Sequence, residues 1–185
     1  MSLTPTIKHI AALFRKLERE EYRTLHCRVA IHRADHFLNF CVTAHSMKDH
    51  LLEQLKITGR PDANLLHGRW KQHPAIVAAA DIANSTKHFV LRDRRTQQPI
   101  TPRTKGVRAG RSRYLDFYQL PNGDLTTKEV HIPDYFVRLS DGTRQDLYSF
   151  MHEVLVFWKL ELQSHGVALR RQSFTSLSGK QAEDR

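Results

Sequence analysis

Cysteine is nearly missing from this chain: Cys27 and Cys41 are the only two in 185 residues, and their spacing is not that of metal ligands. Neither a disulfide framework nor a zinc site is suggested, and a reducing compartment fits best. The chain also lacks any run approaching the ~18 apolar residues of a membrane span. Its opening, MSLTPTIKHI, has no apolar stretch of the signal-peptide kind. The expectation is a soluble cytoplasmic protein without a membrane partner. Acidic residues are the third shortage, with 19 Asp and Glu against 29 Lys and Arg, a net charge of +10 with 12 histidines counted neutral. What is present is otherwise ordinary. Apolar residues make up 40% and charged residues 26%, which excludes a disordered or collagen-like chain. The length is about that of one domain.

The charge is unevenly spread. Arg92, Arg94, Arg95, Arg103, Lys105, Arg108, Arg111 and Arg113 face one acid, Asp93, within 92–113. Pro99, Pro102, Gly106 and Gly110 interrupt the same stretch, which therefore reads as a loop outside the core. A cationic segment of this kind attracts phosphate backbones through counterion release, without reading sequence. Nucleic acid is the partner it implies; the bland alternative is a solvated loop.

Apolar residues at helical spacing predict helices over Ile7–Glu21, Val29–Leu55 and from Pro74 toward Phe89, and a closing helix from about Arg144 to Gly166. Between the last two the period becomes alternating. Tyr114–Leu120, the turn Pro121-Asn122-Gly123-Asp124 and Leu125–Ile132 predict a hairpin, and Tyr135–Leu139 a third strand after a break at Pro133-Asp134. Tyr114, Phe117 and Tyr118 are expected to pack the strands onto the helices, with base stacking as the alternative. The expected fold is mainly α within the α+β class: a four-helix bundle with a short antiparallel β-meander between its third and fourth helices. It would be one domain over 1–168, with the basic loop at 92–113, the β insert at 114–140 and a flexible tail at 169–185.

Two helix faces carry the candidate chemistry. A 100° step per residue gathers His32, Asp35, His36, Asn39, Thr43, Ser46 and His50 on the second helix, with His45 and Lys48 on its apolar side. On the third, Asp81, Asn84, Ser85 and His88 lie opposite Ala79, Ile82 and Ala83. If the two faces meet, several imidazoles and two carboxylates would converge for acid–base work near neutral pH. The alternative is a hydrogen-bonded set that fixes helix register. His32 and His36 also have the i,i+4 spacing that two metal ligands can use, but no Glu-x-x-His accompanies them, so no metal or other cofactor is expected and a metal-dependent hydrolase is a lesser reading.

The segment Asp81-Ile82-Ala83-Asn84-Ser85-Thr86-Lys87-His88 resembles the motif of the HEPN family, in which an Arg, often followed by a polar residue, precedes a His by four to six residues. Asn84 and His88 match; Ala83 stands at the arginine position. Arg19 to His26 and Arg60 to His67 carry Arg-x6-His spacing elsewhere, a pattern that chance also produces in a chain this rich in both residues. The resemblance implies a helical protein of prokaryotic toxin–antitoxin or antiphage systems that binds RNA and cleaves it without metal, typically as a homodimer, with an antitoxin or other complex partner. It would make His88 the acid–base residue, oriented by Asn84 and Asp81, with Lys87 and Arg92 holding phosphate in place of the missing arginine. His32 and His36, from the polar face of the second helix, are further catalytic candidates apart from the resemblance. A non-catalytic module that docks nucleic acid or protein through the basic loop is the competing expectation.

Overall fold

A computed structural model describes residue 7 and residues 9–87 and 101–169. It contains five helices, α1 (Ile10–His26), α2 (Ala30–Gln54), α3 (Arg60–Trp70), α4 (Pro74–Lys87) and α5 (Leu147–Ser164), with strands β1 (Gly106–Gln119), β2 (Leu125–Arg138) and β3 (Arg144–Asp146) between α4 and α5. The long helix α2 is the centre of the packing, with α1, α4 and α5 against it. Phe37, Phe40, Cys41, Met47 and Leu51 bury one of its sides. α5 answers with Phe150, Met151, Val154 and Trp158, and the Phe37 and Phe150 rings meet edge-on at 5.8 Å. His9 caps α1 through the Ala12 amide and Asp146 caps α5 through the Ser149 amide at 2.8 Å.

The four-helix bundle with a short meander is not what forms. A fifth helix, α3, occupies the stretch after Gly59, where Arg60-Pro61 signals a break in the sequence. Proline lacks an N–H that the first helical turn does not need, so here Pro61 opens the helix, with Asp62 beside it favouring the positive end of the dipole. α3 is held by its last turn. Trp70 is buried against Trp158 at 5.6 Å, and its indole N–H donates to Glu161 of α5 at 2.8 Å. Arg69 bonds the same carboxylate, and His165 stands 3.4 Å from it. Burial alone would raise the pKa of Glu161, but the hydrogen bonds from Trp70 and Arg69 and the charges of Arg69 and His165 outweigh it and hold the carboxyl below its usual range.

The sheet differs as well. β1 and β2 are each 14 residues long and paired throughout, from Gly106 with Arg138 to Gln119 with Leu125, and β3 adds a short edge against residues 136–138. Gly106–Arg113 is therefore strand, not loop. Strand pairing needs no apolar alternation when a long partner supplies the ladder. β2 runs through Pro133 without a break, because β3 leaves that part of β2 with an open edge where a residue lacking N–H is tolerated. Asp134, expected at the break, is a buried strand residue. Its carboxylate pairs with Arg33 of α2 at 3.2 Å, accepts the Ser112 hydroxyl across the ladder and accepts the Tyr135 amide at 2.8 Å. Opposite it, Gly110 leaves the space that the Phe136 ring uses: a Cβ there would sit 2.5 Å from that ring.

Arg33 and Asp134 are 1% and 2% exposed, so breaking this pair strands a charge in the interior. Arg33→Met is expected to destabilise the protein by about 3–5 kcal/mol, and Arg33→Met with Asp134→Leu by less than Arg33→Met alone. Urea denaturation checks both; a loss under about 1 kcal/mol in the single variant would be that of a surface pair and contradict this reading. A second prediction concerns α1 and α5, where Glu18 and Glu21 enter a cleft with Tyr22, His152 and Lys159. Burial, then the charge of Glu18, raises the Glu21 pKa to about 7. From pH 4.5, its unperturbed value, to about 7 the unfolded chain has released a proton that the folded chain keeps, so stability falls as pH rises through that window. Glu21→Gln should raise the melting temperature at about pH 8 and leave it unchanged at about pH 4. Equal effects at the two values would rule out the linkage.

Candidate functional site

Three arginines from three adjacent strands converge on one cavity. Arg108 of β1 is opposite Phe136 of β2, and Arg138 of β2 is opposite Arg144 of β3. With Ala109, Phe136 and Gly142 these side chains line a space of about 320 Å³. The Arg144 guanidinium sits 3.9 Å from the centre of the Phe136 ring, a cation–π contact. Lys105 stands close to the lining residue Gly142: its Nζ lies 3.7 Å from where a Gly142 side chain would begin, and its amide donates to the Arg138 carbonyl at 2.9 Å. In the same turn the Thr143 amide, then its hydroxyl, lowers the Asp141 pKa, with Lys105 adding a smaller pull. Like charges facing each other across a ladder are destabilising, so the pairing of Arg138 with Arg144 works against the fold and for an anion.

Farther along the arm the positive charge thins. Arg113 lies 3.8 Å from Glu129, which also meets His131 at 3.0 Å, and Asp116 pairs with Arg28 at 3.3 Å. Arg111 is exposed. Phe117 and Tyr118 do not pack the sheet onto the helices as expected; both are exposed on the arm. Arg103 is exposed too, but it belongs to a different cleft. Arg92, Arg94, Arg95 and His88 lie outside the described residues. Lys87 is the last residue of α4.

Among the described residues, the two polar helix faces do not meet. The α2 face turns toward α1 and solvent: His36 Nδ1 is 3.4 Å from the buried Glu20 carboxylate, and Lys16 donates to the Thr43 hydroxyl at 2.7 Å. Thr43 and Ser46 donate back to carbonyls of their own helix, and His32 is exposed. The histidines at 32 and 36 therefore do not join Asp81 and Asn84. Among the described residues, no group of three or more His, Cys, Asp or Glu could hold a metal ion.

Asp81 and Asn84 instead line a cleft of about 330 Å³ between α2, α3 and α4, together with His45, Lys48, His67, Trp70, Lys71 and Arg103. Asp81 accepts the amide and the hydroxyl of Thr104, each at 2.9 Å. Burial lowers the Lys48 pKa and Lys71 lowers it further, while Asp49 and Asp81 pull the other way. Burial likewise lowers that of His67, with Lys48 and Lys71 adding to the effect and Asp49 opposing it. These cleft residues were not legible as a group. His45 and Lys48 project from the side of α2 that carries its apolar stripe, and His67 and Lys71 belong to or follow the helix hidden behind Arg60-Pro61.

The clefts and the arginine cavity have no template to be read against: no protein-family model matches the chain, and no curated protein or solved structure matches it.

Proposed function

We propose that this protein binds nucleic acid through the arginine-lined face of its sheet, with RNA as the partner. The carrying observation is the convergence of Arg108, Arg138 and Arg144 on one cavity, two of them directly opposed across the ladder. Planar guanidiniums match phosphate oxygens in a forked geometry and are weakly hydrated, so this is a cradle for a phosphate backbone. The exposed Phe117 and Tyr118 on the same arm offer faces for unpaired bases. The choice of RNA over DNA follows the resemblance of residues 81–88 to the HEPN motif.

A metal-independent endoribonuclease is the second reading, favoured by the cleft in which Asp81 and Asn84 stand with Lys48 and His67. Acid–base groups and phosphate-stabilising cations share that space, as cleavage at a ribose hydroxyl requires. His88, the catalytic residue that the motif implies, follows directly on α4 in the chain.

Binding of single-stranded RNA should weaken linearly in log–log form with salt, and replacing Arg108, Arg138 and Arg144 by Gln should reduce that slope by about two. Fluorescence anisotropy over a salt series measures it, with circular dichroism to show that the variant is folded. An unchanged slope would remove the arginine face as the interface. For the second reading, labelled RNA incubated with protein and EDTA should be cut, and His88→Ala should abolish cutting; RNA left intact by the wild-type protein would end the enzyme claim.

A further inference from the structure

The cleft between α2, α3 and α4 has an electrostatic make-up that neither RNA binding by the sheet nor its own shape accounts for. Four potential cations enter it from two elements, His45 and Lys48 from α2 and His67 and Lys71 from α3 and its C-terminal cap, and Arg103 adds a fifth at the rim. The carboxylate inside, Asp81 of α4, is already engaged by two donors from Thr104. Asp49 of α2 attracts the same cations from an exposed position. Trp70, Ile76 and Val77 supply an apolar wall, which lowers the local dielectric and strengthens whatever charge interaction the cleft makes.

We propose that this cleft binds a phosphomonoester, the terminal phosphate of a nucleotide or of a nucleic-acid end. A dianion between Lys48, Lys71 and His67 relieves the mutual repulsion that these groups have when the cleft is empty of anion. The volume of about 330 Å³ is at the small end of ligand cavities, enough for a phosphate and the group that carries it, and too little for a duplex. Asn84 contributes an amide with both donor and acceptor capacity, which suits the polar edge of an attached sugar or base better than the phosphate itself. This is the cleft of the endoribonuclease reading, but phosphate binding there requires neither RNA cleavage nor the arginine face, which lies on other elements.

The lowered His67 pKa supports the assignment and provides its readout. A phosphate dianion beside His67 favours the imidazolium, so its titration must move upward when the cleft fills. The experiment follows the His67 ring resonances by NMR as inorganic phosphate, adenosine 5′-monophosphate, adenosine, and a short RNA with a 5′-phosphate or a 5′-hydroxyl are added separately. Saturable shifts with the phosphate-bearing compounds, an upward titration of His67 and none of this with adenosine are expected. A response to the 5′-hydroxyl RNA equal to that of the 5′-phosphorylated RNA would assign the cleft to internal phosphodiesters, as the cleavage reading has it, and would overturn the terminal-phosphate site. A stronger response to adenosine 5′-monophosphate than to the 5′-phosphorylated RNA identifies a free nucleotide as the source, and a stronger response to that RNA identifies a nucleic-acid end. Lys48→Met and Lys71→Met should each weaken binding by about tenfold or more. Lys71 is exposed at a helix end, so its variant tests the site even if Lys48→Met fails to fold. A His67 signal unmoved by every phosphate compound, equal responses to adenosine and its monophosphate, or unchanged affinity in the folded lysine variants would overturn the proposal.

Discussion

The buried ion pair between Arg33 and Asp134 is the constraint on which the position of the sheet depends. Two charges removed from water to this extent are stable only while each has the other. The first turn of α2 must therefore meet β2 at one register. Neighbouring bonds repeat the demand: the Tyr135 hydroxyl donates to the Ala30 carbonyl at 3.2 Å, and Arg28 reaches Asp116 of β1. Ser112 ties Asp134 to the opposite strand, so the pair fixes both long strands against the helical body. A two-stranded ribbon is marginal by itself. Here its base is anchored by a network that an apolar contact could match in stability but not in register.

That anchoring explains how so much positive charge is tolerated nearby. The acids of the hairpin are each committed elsewhere: Asp134 to Arg33, Asp116 to Arg28, Asp124 to the Asn122 side-chain amide in the turn, and Glu129 to His131 with Arg113 more distant. None of them turns back onto Arg108, Arg138 or Arg144. The ladder places Arg138 against Arg144 with no ion pair to either among the described residues, and the repulsion remains as a bias toward an external anion. The same division holds in the helical part. On one side of α2, the buried Glu20 meets His36 and Thr43 meets Lys16, a polar seam that closes on itself; on another, His45 and Lys48 open onto a cleft with an excess of cations.

Local pattern carried the reading of the sequence as far as pattern can. The apolar stripe of α2 and the turn at Asn122-Gly123 are period signals, visible because burial on one face and φ of +90° at Gly123 leave direct marks in residue choice. Arg33 leaves none. An arginine early in a helix reads as a surface residue, and Asp134 after a proline reads as a turn, so the pair that organises the fold is invisible without both ends in view. α3 escaped because proline opens helices as readily as it ends them, and its apolar content is concentrated in Trp70. Gly106–Arg113 has the composition of a loop and becomes a strand only because residues 131–138 are there to pair with it. Of the polar residues picked out on the helices, Asp81 and Asn84 do line a cleft, while the company they keep comes from the helix that was missed.

The two cationic regions, though on different elements, share one structural joint. Asp81 in the cleft accepts two bonds from Thr104, and the next residue, Lys105, donates its amide to the Arg138 carbonyl at the start of the sheet. The route from cleft to arginine cavity is thus a carboxylate, one peptide unit and one ladder bond. Asp81 is short and sits on a helix whose Ala79 and Ala83 are buried against the core, so it has little freedom to follow Thr104 if the strand moves. The strand must instead conform to the helix. It follows that the charge state of the cleft and the geometry of the arginine face are set by a common anchor, and a substitution at Asp81 acts on both: it removes the carboxylate that moderates Lys48, and it releases the segment that delivers Lys105 to the sheet.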